Sequence, residues 1–132
     1  MSFMRVSVPR LAAMHDLSGF GRAALTVVIP ILATMGIQVC PLPTAVLSTH
    51  GAFPGYQFLD LTEDLQRFID HWKTLDIQFD AIYSGFLGSP RQIALMSDFI
   101  QSFSRENQLV AIDPVLGDDG KLYGVTDPKM VD

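Results

Sequence analysis

A short apolar run that ends abruptly at Asp-Pro constrains this chain more than any other feature. Leu109, Val110, Ala111 and Ile112 are apolar and partly β-branched, and Asn107 and Gln108 ahead of them are turn residues. Such a run reads as a parallel-sheet strand buried on both faces. Pro114 has no amide to give a ladder and biases Asp113 towards extended geometry, so Asp113 is the last expected strand residue. Open α/β sheets bind ligands at the carboxyl ends of their strands. Asp113, Asp118 and Asp119 cluster there, on a turn that also holds Gly117 and Gly120. The cluster has two readings, a polyanion-plus-metal site or an acidic solvated turn, and spacing alone favours the turn.

The rest of the chain alternates strand and helix patterns around that run. Leu11–Met14 is a first short strand, followed by a polar loop from His15 to Gly21 and an apolar helix from about Arg22 to Met35. Pro30 is expected to kink the helix, and Gly36 to cap it. A strand–glycine loop–helix unit aims helix amides at a ligand, although such loops also simply turn the chain. Pro41 and Pro43 argue against one regular central strand over Ile37–Ser48, so a strand, an irregular crossing and a second strand from about Ala45 are expected. Thr49–Gly55 reads as a loop and Tyr56–Leu61 as a short flap strand.

Two amphipathic helices follow. Asp60-Leu61-Thr62-Glu63 has the form of a capping box, with Thr62 as the alternative cap, ahead of a stripe of Leu65, Phe68, Ile69 and Trp72. Ser89-Pro90-Arg91-Gln92 is a second capping box, with Ile93, Met96, Phe99, Ile100 and Phe103 as its buried stripe. Between them Ala81-Ile82-Tyr83 forms a strand that ends in Ser84-Gly85. Strand–helix–strand alternation implies right-handed crossovers and a mainly parallel sheet. Asp127-Pro128 reads as a helix start, and with Asp132 so close behind it the sequence is expected to be part of a longer chain.

Composition narrows the classes. With 132 residues, 48% of them hydrophobic, the chain has material for one core and is not a disordered tail. A net charge of −5 with 9 dispersed basic residues argues against nucleic acid as a partner. Arg5 and Arg10 flank too little apolar sequence for a secretory signal, and Ala23–Met35 falls short of the ~20 apolar residues that cross a bilayer, so no membrane partner is expected and the stretch reads as a buried helix. The single Cys40 excludes an intrachain disulfide, fits a reducing cytoplasm and reads as core filler. No His/Cys pair has transition-metal spacing. His71 sits on an exposed helix flank without a role, and His15 and His50, taken singly, read as strand-end and loop histidines.

Taken together, four segments resemble the pyridoxal/pyridoxamine kinase family. They are His15-Asp16-Leu17-Ser18-Gly19-Phe20-Gly21, Pro43 to His50, Tyr83-Ser84-Gly85-Phe86-Leu87-Gly88-Ser89 and Asp113-Pro114-Val115-Leu116-Gly117-Asp118. They occur in family order and span about residues 10 to 123. The resemblance implies a ribokinase-like three-layer α/β sandwich with a mainly parallel central sheet. It also implies ATP-dependent phosphorylation of the hydroxymethyl group of pyridoxal, pyridoxine or pyridoxamine, in pyridoxal 5′-phosphate salvage. By the same resemblance Met14, His15, Asp16, Ser18 and Gly19 lie beside the substrate ring, and Thr49, His50 and Gly51 form a second substrate-facing segment. Asp113 and Asp118 match acidic positions near the nucleotide phosphates and their cations, Mg2+ and a monovalent ion such as K+. Leu122 and Tyr123 match the hydrophobic end of that segment.

Two departures stand out. Gly51 occupies a position where many relatives carry threonine. The family's catalytic base, an aspartate in a Gly-Thr-Gly-Asp-type motif, has no match here. The sequence is therefore expected to be the N-terminal half of a single kinase domain about twice as long, cytoplasmic and homodimeric when complete, and inactive as this segment alone. Hydroxymethylpyrimidine kinase is the alternative activity, because the Asp16–Gly21 loop resembles that of those enzymes too. A non-catalytic binding module on the same scaffold is the alternative class.

Overall fold

The computed structural model describes residues 7–131. Arg5 and Asp132, used above, lie outside the described residues. The elements run β1 (Arg10–Phe20), α1 (Leu25–Thr34), β2 (Gln38–Thr49), β3 (Phe58–Asp60), α2 (Thr62–Lys73), β4 (Ala81–Ser84), α3 (Pro90–Ser102), β5 (Leu109–Ile112), β6 (Gly117–Asp118) and β7 (Lys121–Leu122), and a 3-10 turn follows at Pro128–Met130. The main sheet has the order β3-β2-β1-β4-β5, parallel except for β3.

Alternation along β1 divides the core into two layers, as successive side chains of a strand must. Ala12 and Met14 point to one face, where they pack with Leu42 and Ile82 against Leu65, Ile69, Leu95, Met96 and Phe99 of α2 and α3. Leu11 and Ala13 point to the other, against Leu25 and the inner side of α1. This is the expected three-layer sandwich. Gly36 ends α1 with φ +80°, and the amides of Gly36 and Ile37 reach back to the carbonyls of Ala33 and Leu32, which is a Schellman cap. Ser89 caps α3 by accepting from the amide of Gln92 at 3.3 Å. At α2 the box shifts: Asp60 Oδ1 accepts from the amide of Thr62 at 2.9 Å, but Leu61 occupies the cap position and supplies no side chain.

Several expectations change. The polar stretch 15–20 is not a loop but the second half of β1. Likewise β2 is one strand through Pro41 and Pro43. Over those prolines β2 is an outer strand, because β3 pairs only with Ala45–Leu47, and an edge tolerates missing amides. The irregularity survives as a bulge: His15 pairs with Pro43 and Leu17 with Val46, so Thr44 and Ala45 together oppose Asp16. On the helices, Phe68 and Ile93 are exposed, whereas Leu95 and Gln92 are buried.

The largest difference lies at β5, which is not buried on both faces. Leu109 is 65% and Ile112 62% exposed, and among the described residues β5 pairs only with β4. Nor is α1 fully buried, since Ile31 and Met35 are exposed. An apolar groove of about 280 Å³ runs between Val27, Ile31 and Leu32 of α1 and Leu109 and Ala111 of β5. Among the described residues, no helix is long and apolar enough to cross a membrane.

Candidate active site

The sheet is stepped at its carboxyl end. β4 pairs with β1 only as far as Met14–Ser84, whereas β1 and β2 run on together to Phe20–Thr49. The overhang makes one wall of a cleft of about 790 Å³, and the turn at β6–β7 with the segment after it makes another. The cleft thus lies where open α/β sheets bind ligands, and its size is that of small-molecule sites.

Of the residues singled out from the sequence, His15, Asp16, Ser18, His50, Gly51 and Asp118 line this cleft. Met14, Gly19, Thr49 and Asp113 do not. Met14 is buried in the core facing α2 and α3. Gly19 serves strand packing, since a Cβ there would lie 2.9 Å from the carbonyl oxygen of Ser48. The Thr49 hydroxyl donates to the carbonyl of His50 at 3.3 Å. Asp113 continues the ladder with its amide on Ser84 O at 2.9 Å, and its charge adds to burial in pushing the Tyr83 phenol upward.

Each histidine of the cleft rests against a glycine. A Cβ on Gly85 would lie 2.0 Å from His15 Cδ2 and 2.1 Å from Nε2, so the missing side chain makes room for the ring. His50 fits against Gly21 in the same way, and Gly21 also needs its φ of +100°. The amides of Asp16 and Phe86 approach His15 Nδ1 at 2.9 and 3.2 Å, and Asp16 Oδ1 lies 2.7 Å from the same nitrogen. Next to this pair the hydroxyl of Ser18 is buried without a hydrogen-bond partner among the described residues. A buried polar atom left unpaired at a cleft wall is a place for a ligand atom.

Across the cleft, β6 and β7 form a hairpin whose turn uses Asp119 at φ +50° and Gly120 at φ +75°. It presents Asp118, whose Oδ2 accepts from the hydroxyl of Tyr123 at 2.7 Å. That bond first, then burial and the charges of Asp118 and Asp16, push the Tyr123 phenol up to about 12. Tyr123 therefore stays a neutral donor at ordinary pH. Cys40 plays no part: burial raises its thiol, against a small opposing pull from Arg10, which disfavours the reactive thiolate.

Aromatic lining from Tyr56, Phe58 and Phe86 was not legible as site chemistry in the sequence. A signal did exist for Phe86, which follows a strand end and a glycine.

No family model and no curated protein matches the sequence. Solved structures do. A protein from Bacteroides thetaiotaomicron, provisionally named a phosphomethylpyrimidine kinase and crystallised with pyridoxal, is 60% identical over 95% of this chain, with a TM-score of 0.91. Pyridoxal kinase from Lactobacillus plantarum is 32% identical over 95% of it, with a TM-score of 0.85. The chain belongs to the ribokinase-like superfamily. Pyridoxal kinase from Leishmania donovani in complex with ADP, at 19% identity and a TM-score of 0.80, shares the fold. This ribokinase-like chain spans 44% of the length of the Bacteroides protein and 45% of the Lactobacillus enzyme.

Proposed function

We propose that this chain forms the ring-binding part of an ATP-dependent kinase that phosphorylates the hydroxymethyl group of pyridoxal, pyridoxamine or pyridoxine. The observation that carries the reading is the cleft itself. Polar groups that suit a hydroxylated pyridine (His15, Asp16, Ser18, His50) stand on one wall, and Asp118 stands on the other. The pyridoxal in crystals of the 60%-identical relative supports this ring over the pyrimidine.

Phosphoryl transfer asks a protein for positioning and charge neutralisation more than for covalent chemistry. In this reading His15, Asp16, Ser18, His50 and Gly51 seat the ring, and Phe86 and Phe58 exclude water from its faces. Magnesium characteristically takes one or two carboxylates and completes its shell with substrate phosphates and water. Asp118 fits that mode as a single exposed carboxylate facing the cleft. Asp113 lies off the lining, and the described residues hold no group of three or more His, Cys, Asp or Glu able to cage an ion by themselves. The ion, when bound with ATP, neutralises phosphate charge. A monovalent cation such as K+, a cytoplasmic location, a homodimeric state and a role in pyridoxal 5′-phosphate salvage belong to the same proposal, through the family resemblance. So does the catalytic base, which the resemblance puts outside these 132 residues, so that the segment alone is expected to be inactive.

The test compares catalytic efficiency with ATP and magnesium on pyridoxal, pyridoxine, pyridoxamine and hydroxymethylpyrimidine, using a protein of the relatives' full length that contains this sequence. A preference for the pyridine alcohols is the expected result. A clear preference for the pyrimidine, or no transfer to any of them, overturns the reading.

A further inference from the structure

Behind the cleft lies a buried polar network that no part of the proposed chemistry uses. Its centre is Thr44, fully buried at the β2 bulge. The Thr44 hydroxyl donates to the carbonyl of Phe86 at 3.0 Å, and the Thr44 carbonyl accepts from the amide of Leu61 at 3.1 Å. Gln92, 1% exposed on α3, donates to the Thr44 carbonyl at 3.0 Å and to the Thr62 hydroxyl at 2.9 Å. Its Oε1 accepts from the amide of Gly88 at 2.7 Å. A side-chain amide has two protons and one oxygen to satisfy, and here each has a partner.

These bonds reach the carriers of two cleft aromatics. Phe86 and Gly88 belong to the segment between β4 and α3, which has no regular structure of its own. Leu61 and Thr62 make the turn into α2 directly after β3, a three-residue strand that carries Phe58 and pairs only with β2 among the described residues. Phe58 and Phe86 both line the cleft, and their rings meet edge to face, 6.5 Å apart at 86°. Such a contact is specific in geometry and weakens when either ring shifts. Neither carrier is stiff by itself. The network ties both to the same buried residue, and a slip of either would leave a polar group unpaired in the interior, which is costly.

We infer that Thr44 and Gln92 are positioning residues that hold the corner between Phe58 and Phe86, and through it set how tightly the cleft grips a flat ring. Neither residue lines the cleft, so they act only through the two aromatics. The consequence for a pyridine alcohol rests on the function proposed above. The corner itself does not.

The experiment reads the two separately. In the chain carrying isotope-labelled phenylalanine and no ligand, the nuclear Overhauser effect between the Phe58 and Phe86 rings reports the corner. Pyridoxine titration reports ring binding. Thr44→Val keeps the shape and loses the hydroxyl, whereas Thr44→Ser keeps the hydroxyl. Ile69→Val is the destabilised control, since it removes a buried methyl group from the core layer that faces α2 and α3. The expected result is an intact ring contact in the parent, Thr44→Ser and Ile69→Val. In Thr44→Val the contact weakens and pyridoxine affinity falls about fivefold, the worth of one aromatic contact. If Thr44→Val does not fold, Gln92→Met carries the same expectation. An unchanged contact in Thr44→Val, equal weakening in Thr44→Ser or Ile69→Val, or a weakened contact with unmoved affinity overturns the inference. So does failure of both Thr44→Val and Gln92→Met to fold, because the network would then hold the fold and not the corner. A weakened contact in Thr44→Val when the parent binds no pyridoxine upholds the corner and counts against the proposed substrate.

Discussion

Replacing Gly85 with alanine puts a methyl group 2.0 Å from His15 Cδ2 and 2.1 Å from Nε2, distances at which two atoms cannot coexist. His15 is only 9% exposed and is held at Nδ1 by two amides, so its ring cannot swing into solvent without breaking those bonds. Overfilling a packed interior costs about 1–3 kcal/mol, and each lost hydrogen bond adds about 1 kcal/mol. With both bonds broken, the expected loss in unfolding free energy is about 3–5 kcal/mol, read from urea denaturation. Displacing the ring also removes a wall of the cleft, and pyridoxine affinity should fall roughly tenfold or more, equivalent to about 1.4 kcal/mol. Gly51→Ala is the control for the stability reading alone, because a Cβ there meets nothing within 4 Å. A Gly85→Ala protein as stable as the parent, with unchanged pyridoxine affinity, would refute the seating of His15 on Gly85.

Other outcomes follow from the same geometry. The Tyr123 phenol, raised from 10.0 to about 12, should resist deprotonation in an ultraviolet pH titration, and Asp118→Asn should bring its midpoint back towards the ordinary value. Because the folded-state value is the higher one, whatever stability the bond contributes is fully present below about pH 10 and lost as pH rises through about 12. Asp118→Asn in a protein of the relatives' full length should weaken the magnesium dependence of turnover, and unchanged turnover across a magnesium titration would remove Asp118 from the cation site. The exposed β5 edge should make the 132-residue chain self-associate, and Ile112→Lys should reduce the associated fraction in sedimentation velocity. Equal association of both proteins would show that the contact lies elsewhere.

How much of this was legible depended on whether the cause was local. The Gly36 cap and the Ser89 cap rest on a few neighbouring residues and both are present, although Gln92 Oε1 takes the amide of Gly88 and does not close the box on Ser89. Gly19 misled, because a glycine between polar residues signals a turn, whereas here it lets β1 approach the Ser48 carbonyl within a continuing strand. Pro41 and Pro43 misled for a related reason: they forbid a strand paired on both sides, and among the described residues β2 has no partner on its outer side there. The four-residue run 109–112 has the composition of a buried strand, but burial needs a covering element from elsewhere, and none is present among the described residues. For the site, the histidines, Asp16, Ser18 and Asp118 were found through their segments. Thr44 and Gln92 were not, since their partners lie 42 and 48 residues away in sequence. Gln92 was visible only as the fourth member of a capping box.

The most direct test of the cleft as the ring-alcohol site is a titration of the isotopically labelled chain with pyridoxine, followed by backbone amide shifts. Pyridoxine is chosen over pyridoxal because it has no aldehyde to form imines with lysine. The account predicts shifts concentrated at His15, Asp16, Ser18, His50, Phe86 and Tyr123, and their loss in Gly85→Ala. Shifts concentrated instead along the apolar groove between α1 and β5, or a Gly85→Ala protein that responds like the parent, would contradict it.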